Sequence, residues 1–179
     1  MTKPNPEALA AAGMKAYKQG QFELAVENFN QAENLYGEMA QASRAAEMAN
    51  NAAVAYLQLD RPEQALAILE GTPETFAREG KRQLQAQALG NQGSACEALD
   101  RPEEARALYQ KALTLLQEIG DQDSQALILQ GLSRLQLKGG QPLQALGSMQ
   151  AAMDIKPRKG IAGRLLRRFL SLPARFLNR

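Results

Sequence analysis

The chain has 179 residues, with 21 Lys and Arg against 19 Asp and Glu, no histidine, no tryptophan and one cysteine. A single cysteine without histidine excludes an intrachain disulfide and a His/Cys metal site, so no metal or other cofactor is expected. No uncharged stretch approaches the roughly 20 residues that span a bilayer, which predicts a soluble, cytoplasmic protein.

A short phrase that contains an alanine recurs along the chain at a spacing of 40 residues. The alanines of the four copies are Ala25, Ala65, Ala105 and Ala145. A period of this length is typical of a solenoid, in which each unit buries its apolar face against its neighbours. Four repeats, of about residues 5–40, 41–80, 81–120 and 121–157, account for nearly all of the chain.

Each repeat has the apolar spacing of two helices with a break between them. The breaks fall at Gly20, Asp60, Asp100 and Gly139-Gly140. Three of the second helices begin with a proline shortly after the break, where the missing N–H of proline costs nothing. The pattern therefore predicts four helix-turn-helix units.

Small side chains and large side chains each recur at an equivalent position in every repeat. Small residues of the first helices, opposite the recurring alanines, are Gly13, Ala53, Gly93 and Ser133. Large residues four positions beyond those alanines are Phe29, Leu69, Tyr109 and Met149. Small residues let helix axes approach closely, so both sets are predicted core positions. Cys96 is expected to pack there as a small hydrophobe.

This pattern resembles the tetratricopeptide repeat family. The matching residues are Gly13, Tyr17, Gly20, Phe22, Ala25, Phe29 and Ala32 in the first repeat, and Leu89, Gly93, Ala105, Tyr109 and Ala112 in the third. Over residues 5–157 the resemblance implies an all-α, right-handed superhelix of four helix-turn-helix repeats. The spacing of the residues that follow predicts an additional C-terminal amphipathic helix. The period of 40, instead of 34, is similar to the extended variant in kinesin light chains.

One joint departs from the family pattern. Thr72 stands where the family carries alanine, and Pro73 follows it. Because proline removes a helix hydrogen bond, Pro73 is expected to kink or end that helix, leaving residues 71–80 as a distorted connection.

The resemblance implies a groove lined by the first helices, which would bind a peptide or a protein segment. The candidate groove residues are Met14, Tyr17, Asn50, Asn51, Val54, Gln58, Gln87, Asn91, Ser94, Glu97, Gln130 and Arg134. No pair of acidic residues stands out as general acid and base, so the chain is predicted to be a non-catalytic scaffold and not an enzyme.

Two interpretations of Asn51 and Asn91, one period apart, stay open. Their side-chain amides can both donate to and accept from the backbone of an extended peptide, or they can cap or bridge neighbouring helices. The clamp that family members use for a peptide's terminal carboxylate is missing, since Ala10, Asn50 and Gly90 stand where cations are needed and only Arg134 could supply one.

The C-terminal segment carries a concentrated positive charge. Residues 156–179 hold eight Lys and Arg and no acidic residue, whereas residues 1–155 hold 13 basic and all 19 acidic residues. Such segregation indicates an interaction tail or a contact between the tail and the acidic body.

Residues 158–179 separate basic from apolar side chains at helical spacing, which predicts an amphipathic helix. The predicted contact residues of this tail are Leu165, Arg167, Arg168, Phe169, Arg175 and Phe176. The tail is expected to cap the last repeat by packing on Leu146, Met149 and Met153, to attach to an anionic inner membrane surface, or to enter a partner's groove. Nucleic acid is not expected as a partner, and the oligomeric state is left open.

Overall fold

The computed structural model describes residues 5–155 of the chain. These residues form nine helices and no β-strand. The helices are α1 (Pro6–Lys18), α2 (Phe22–Glu38), α3 (Ala42–Gln58), α4 (Pro62–Ile68), α5 (Thr72–Arg78), α6 (Arg82–Ala98), α7 (Pro102–Ile119), α8 (Gln122–Lys138) and α9 (Pro142–Ile155). The chain divides into two compact units, Met1–Leu115 and Leu116–Arg179.

A residue with positive φ recurs every 20 positions from residue 20 to residue 140. Glycine occupies positions 20, 80, 120 and 140 with φ between 68° and 75°, and Ala40, Asp60 and Asp100 have φ of 55° to 56°. At each turn the next N–H donates to the carbonyl five residues back, as Gln21 does to Ala16 at 3.0 Å. This is the Schellman ending of a helix. Turns within repeats and turns between repeats therefore share one geometry.

The turns predicted from the sequence at Gly20, Asp60, Asp100 and Gly139-Gly140 are confirmed by these helix ends. Prolines 62, 102 and 142 each stand at the start of a second helix, as predicted. The fixed φ of proline suits the first helical turn, and the N–H that it lacks would have no partner within the helix.

The second helix of the second repeat is interrupted, but not where the sequence suggested. The break lies at Gly71, which has φ of 70°, and Pro73 stands in the first turn of α5, where proline is tolerated. The expectation of a distorted connection over residues 71–80 was therefore wrong, because most of the segment is helical. This short helix buries Thr72, Pro73 and Phe76.

Close contact between glycine and an aromatic ring joins the two helices of the first and third repeats. A Cβ added to Gly13 would lie 2.7 Å from the Phe29 ring, and one added to Gly93 would lie 2.7 Å from the Tyr109 ring. Both aromatic rings are buried, and so is Leu69 in the second repeat. The prediction that the small and the large residues are core positions is therefore confirmed in these three repeats.

The second unit contains the hairpin of α8 and α9. The Ser133 hydroxyl on α8 donates to the Ala145 carbonyl on α9 at 3.0 Å, so the predicted pair of small residues is in contact. Gln125 Nε2 donates to the Leu116 carbonyl at 2.9 Å. Met149, predicted to be core, is half-buried, whereas Met153 is buried.

Candidate functional site

The beginnings of the first helices of the first unit are linked by charged side chains. Arg44 Nη1 on α3 lies 2.8 Å from Glu7 Oε1 on α1. Lys81, just before α6, donates from Nζ to the Ser43 hydroxyl on α3 and lies 3.1 Å from Glu79 Oε2. The hydrogen bond from Lys81 lowers the pKa of Glu79. These contacts link α1 to α3 and α3 to the start of α6. The three helices are called the first-helix layer below.

An asparagine pair connects the middle of this layer. Asn91 Nδ2 on α6 donates to Asn50 Oδ1 on α3 at 2.9 Å. Asn50 is only 8% exposed, whereas Asn91 and Asn51 are half-buried. Asn91 thus bridges neighbouring helices through Asn50, not through Asn51, which stands one period away. Among residues 5–155 the side-chain amide of Asn51 makes no hydrogen bond.

A buried tyrosine fixes two predicted groove residues on α6. The Tyr109 hydroxyl, from α7, donates to Glu97 Oε2 at 2.8 Å and lies 3.1 Å from the Ser94 hydroxyl. Ser94 also donates to the Gly90 carbonyl at 3.1 Å. Because the Tyr109 ring is fully buried, this network holds Ser94 and Glu97 in defined positions.

The other predicted groove residues keep accessible surface. Tyr17, Val54 and Gln87 are half-buried, and Met14, Gln58, Gln130 and Arg134 are exposed. Gln130 and Arg134 belong to α8 of the second unit. Tyr17 also packs edge-to-face against Phe22, with 5.4 Å between the ring centroids, so part of its surface stabilises the first hairpin.

The polar links at the beginnings of the helices were missed in the sequence. Glu7 and Arg44 lie 37 residues apart, and Ser43 and Lys81 lie 38 apart. Both separations are close to one 40-residue period, so a search for complementary side chains at about that spacing would have found them.

Cys96 on α6 is 2% exposed, and burial raises the pKa of its thiol. A buried thiol in its neutral form is a poor nucleophile. The prediction that Cys96 packs as a small hydrophobe is therefore confirmed.

The repeat geometry and the helix-to-helix links agree with a comparison between this sequence and known families. The tetratricopeptide repeat family matches residues 44–118 and 84–158, which together make up more than half of the chain. The chain belongs to the tetratricopeptide repeat family. Tetratricopeptide repeats form helical scaffolds for protein interaction and are generally non-catalytic.

A solved structure with a similar fold is aspartyl phosphate phosphatase F from Bacillus subtilis. The TM-score is 0.78 at 19% sequence identity, over 92% of this tetratricopeptide repeat chain and 44% of that chain. At this identity the likeness concerns the fold alone, and this chain spans less than half the length of that protein. No curated protein matches the sequence.

Two further observations concern membranes. In residues 5–155 no helix of this tetratricopeptide repeat protein combines the length and the apolar character needed to cross a bilayer. The tail residues predicted to contact a membrane or a partner belong to residues 156–179, outside the described part of the chain. These residues are Leu165, Arg167, Arg168, Phe169, Arg175 and Phe176.

Proposed function

We propose that this chain is a non-catalytic scaffold that binds an extended segment of a partner protein along the first-helix layer. The observation that carries the proposal is the bond between Asn91 and Asn50, which holds the half-buried side-chain amide of Asn91 in place; half-buried Asn51 follows Asn50 in the sequence. Each amide can donate to and accept from a peptide backbone.

The middle of the layer suits recognition of a backbone. Its accessible side chains are uncharged and able to form hydrogen bonds, with one aliphatic residue among them. These side chains are Asn51, Val54, Gln87, Asn91 and Ser94. Because Asn91 and Ser94 are already held by hydrogen bonds, less side-chain entropy is lost when a ligand binds.

A free carboxylate at the end of the ligand is not expected to contribute. Two cations at the beginning of the layer, Arg44 and Lys81, are already engaged with Glu7 and with Glu79. The places where family members carry clamp cations hold Ala10, Asn50 and Gly90. We therefore expect an internal stretch of a partner to bind, without charge pairing at its end.

The test begins with selection of a phage-displayed library of random linear peptides on the immobilised full chain. Affinity of a selected peptide is then measured by fluorescence anisotropy for the unmodified chain, for Asn51→Ala and for Asn34→Ala. Asn34 is an exposed asparagine on α2 and serves as the matched control. Loss of a hydrogen-bonding amide should weaken binding about tenfold in Asn51→Ala, with no change in Asn34→Ala.

A second comparison concerns the peptide end. Amidation of the peptide's C-terminus should leave the affinity unchanged, because Ala10, Asn50 and Gly90 stand at the positions where family members carry clamp cations. Failure to enrich any peptide, or equal affinities of the two asparagine variants for the peptide, would contradict peptide binding along the first-helix layer.

A further inference from the structure

A cleft on another surface of the first unit lies between α4 and the C-terminal end of α6. Its volume is about 380 Å³, within the range of about 300–1,000 Å³ that is usual for ligand pockets. The cleft is lined by Glu63, Leu66, Ala67, Glu70, Gln92, Leu99 and Arg101. Its lining thus combines apolar with charged residues.

The second repeat differs from the first at this place. Val26 of α2 is buried, whereas Leu66, one period later on α4, is half-buried and forms part of the cleft. Helix α4 ends at Ile68, and its next carbonyl, that of Leu69, accepts a hydrogen bond of 3.1 Å from Gln92 Nε2. This bond ties the end of α4 to α6, so the cleft has a fixed wall.

The charge of the cleft is predominantly negative. Glu63 on α4 and Glu70, two residues after the end of this helix, are both exposed and both line the cleft. The positive charge of Arg101 is already satisfied, since Nε and Nη2 donate to the two Glu104 oxygens at 2.7 and 2.6 Å. A ligand that fits this lining is both apolar and basic.

We propose that the occupant of this cleft is the basic C-terminal segment of this chain, residues 156–179. The segment has eight basic and no acidic residues and also carries leucines and phenylalanines, whereas the preceding residues have an excess of acidic groups. Leu66 and Leu99 offer apolar surface to the aliphatic stem of an arginine, and Glu63 or Glu70 can pair with a guanidinium group. The proposal does not depend on the peptide groove.

The test uses the full chain with a nitroxide attached at Asn178→Cys. Cys96 is buried, so the label attaches to the new cysteine. Paramagnetic broadening of backbone amides is read in ¹⁵N spectra at low salt and at about 1 M salt, where the Debye length falls to about 3 Å. We expect broadening of amides 63–70 and 99–101 at low salt, and its loss at high salt.

Charge-neutralised variants give the decisive comparison. Glu63→Gln with Glu70→Gln should abolish the broadening of α4, and the matched pair Glu23→Gln with Glu103→Gln should leave it unchanged. Glu23 and Glu103 are exposed and stand one period before and after Glu63. Broadening that is absent from α4, or equal in both double variants, overturns the proposal.

Mixing experiments identify which copy supplies the segment. Chain that carries the nitroxide but no ¹⁵N is added to ¹⁵N-labelled chain that carries no nitroxide. Broadening of the α4 amides in this mixture shows that the segment binds to a second copy. Broadening confined to chains that carry both labels shows binding within one chain. Either result supports the cleft as the docking site of residues 156–179.

Discussion

Asn91 and Asn50 form a side-chain hydrogen bond of 2.9 Å between consecutive repeats, and Asn50 is almost completely buried. The bond therefore has two roles. It satisfies a polar group in the interior, and it fixes the half-buried Asn91 amide at the surface where we propose that a peptide binds.

Removal of the donor should destabilise the fold. Asn91→Ala leaves the Asn50 amide oxygen without its partner, and an unsatisfied buried acceptor costs about 1–3 kcal/mol. Urea unfolding followed by circular dichroism measures the free energy of unfolding. The control Asn34→Ala, at an exposed position of α2, should stay within about 0.5 kcal/mol of the unmodified chain. Equal stability of the two variants would show that the bond contributes little.

Two glycines should respond in opposite directions to the same substitution. Gly93→Ala places a methyl group 2.7 Å from the Tyr109 ring, and such overpacking costs about 1–3 kcal/mol. Gly37→Ala, in α2, meets nothing within 4 Å and should stabilise the chain by about 0.5–1 kcal/mol through helix propensity. Thermal unfolding of both variants gives the comparison. A neutral Gly93→Ala would mean that the repeat tolerates a wider spacing of its helices.

The turn at Ala40 should be improved by glycine. Its φ of 56° is in the left-handed region, where a Cβ is unfavourable, so Ala40→Gly should raise the free energy of unfolding by about 0.5–1 kcal/mol. The same substitution at Ala107, an exposed position inside α7, should lower it by about 1 kcal/mol. Chemical denaturation separates the two signs, and destabilisation by Ala40→Gly would contradict the turn geometry.

Stability should depend on pH through Glu33. Burial raises the pKa of this carboxyl group on α2 above its usual value. The folded chain therefore binds the proton more tightly than the unfolded chain, and this contribution to stability is lost as pH rises through the folded pKa. Glu33→Gln should stabilise the chain at about pH 7 and flatten the decline that begins above about pH 4.

The control for this pH series is Glu27→Gln, an exposed residue of the same helix. Unfolding free energies across the pH series should show the same decline in this control as in the unmodified chain. A decline that persists unchanged in Glu33→Gln would assign the pH dependence to another group.

The sequence was sufficient for the architecture because the recurring residues report directly on packing. Gly93 and Tyr109 are an example, since a missing side chain and a large ring at fixed positions imply close helix contact. The turn at Ala40 is different. Alanine has no preference for positive φ, and only the regular spacing of the surrounding helices places it there.

The details of the candidate site could not be predicted in the same way. Asn50 and Asn51 are adjacent, and which of them faces α6 depends on the angle between helices, which the period does not specify. The sequence also assigned the break to Pro73, because proline breaks a helix when it stands in the interior. Pro73 instead stands in the first turn of α5, where proline is acceptable, and the break lies at Gly71.

The central claim is that a partner segment lies along the first-helix layer, and photo-crosslinking tests it most directly. Benzoylphenylalanine replaces Gln58, an exposed residue two helical turns after Asn51 on α3, or Gln110, an exposed residue on α7. A peptide selected on the full chain should cross-link to the Gln58 variant and not to the Gln110 variant, and excess unlabelled peptide should prevent the reaction. Cross-linking to the Gln110 variant alone, or equally to both, would contradict binding along the first-helix layer.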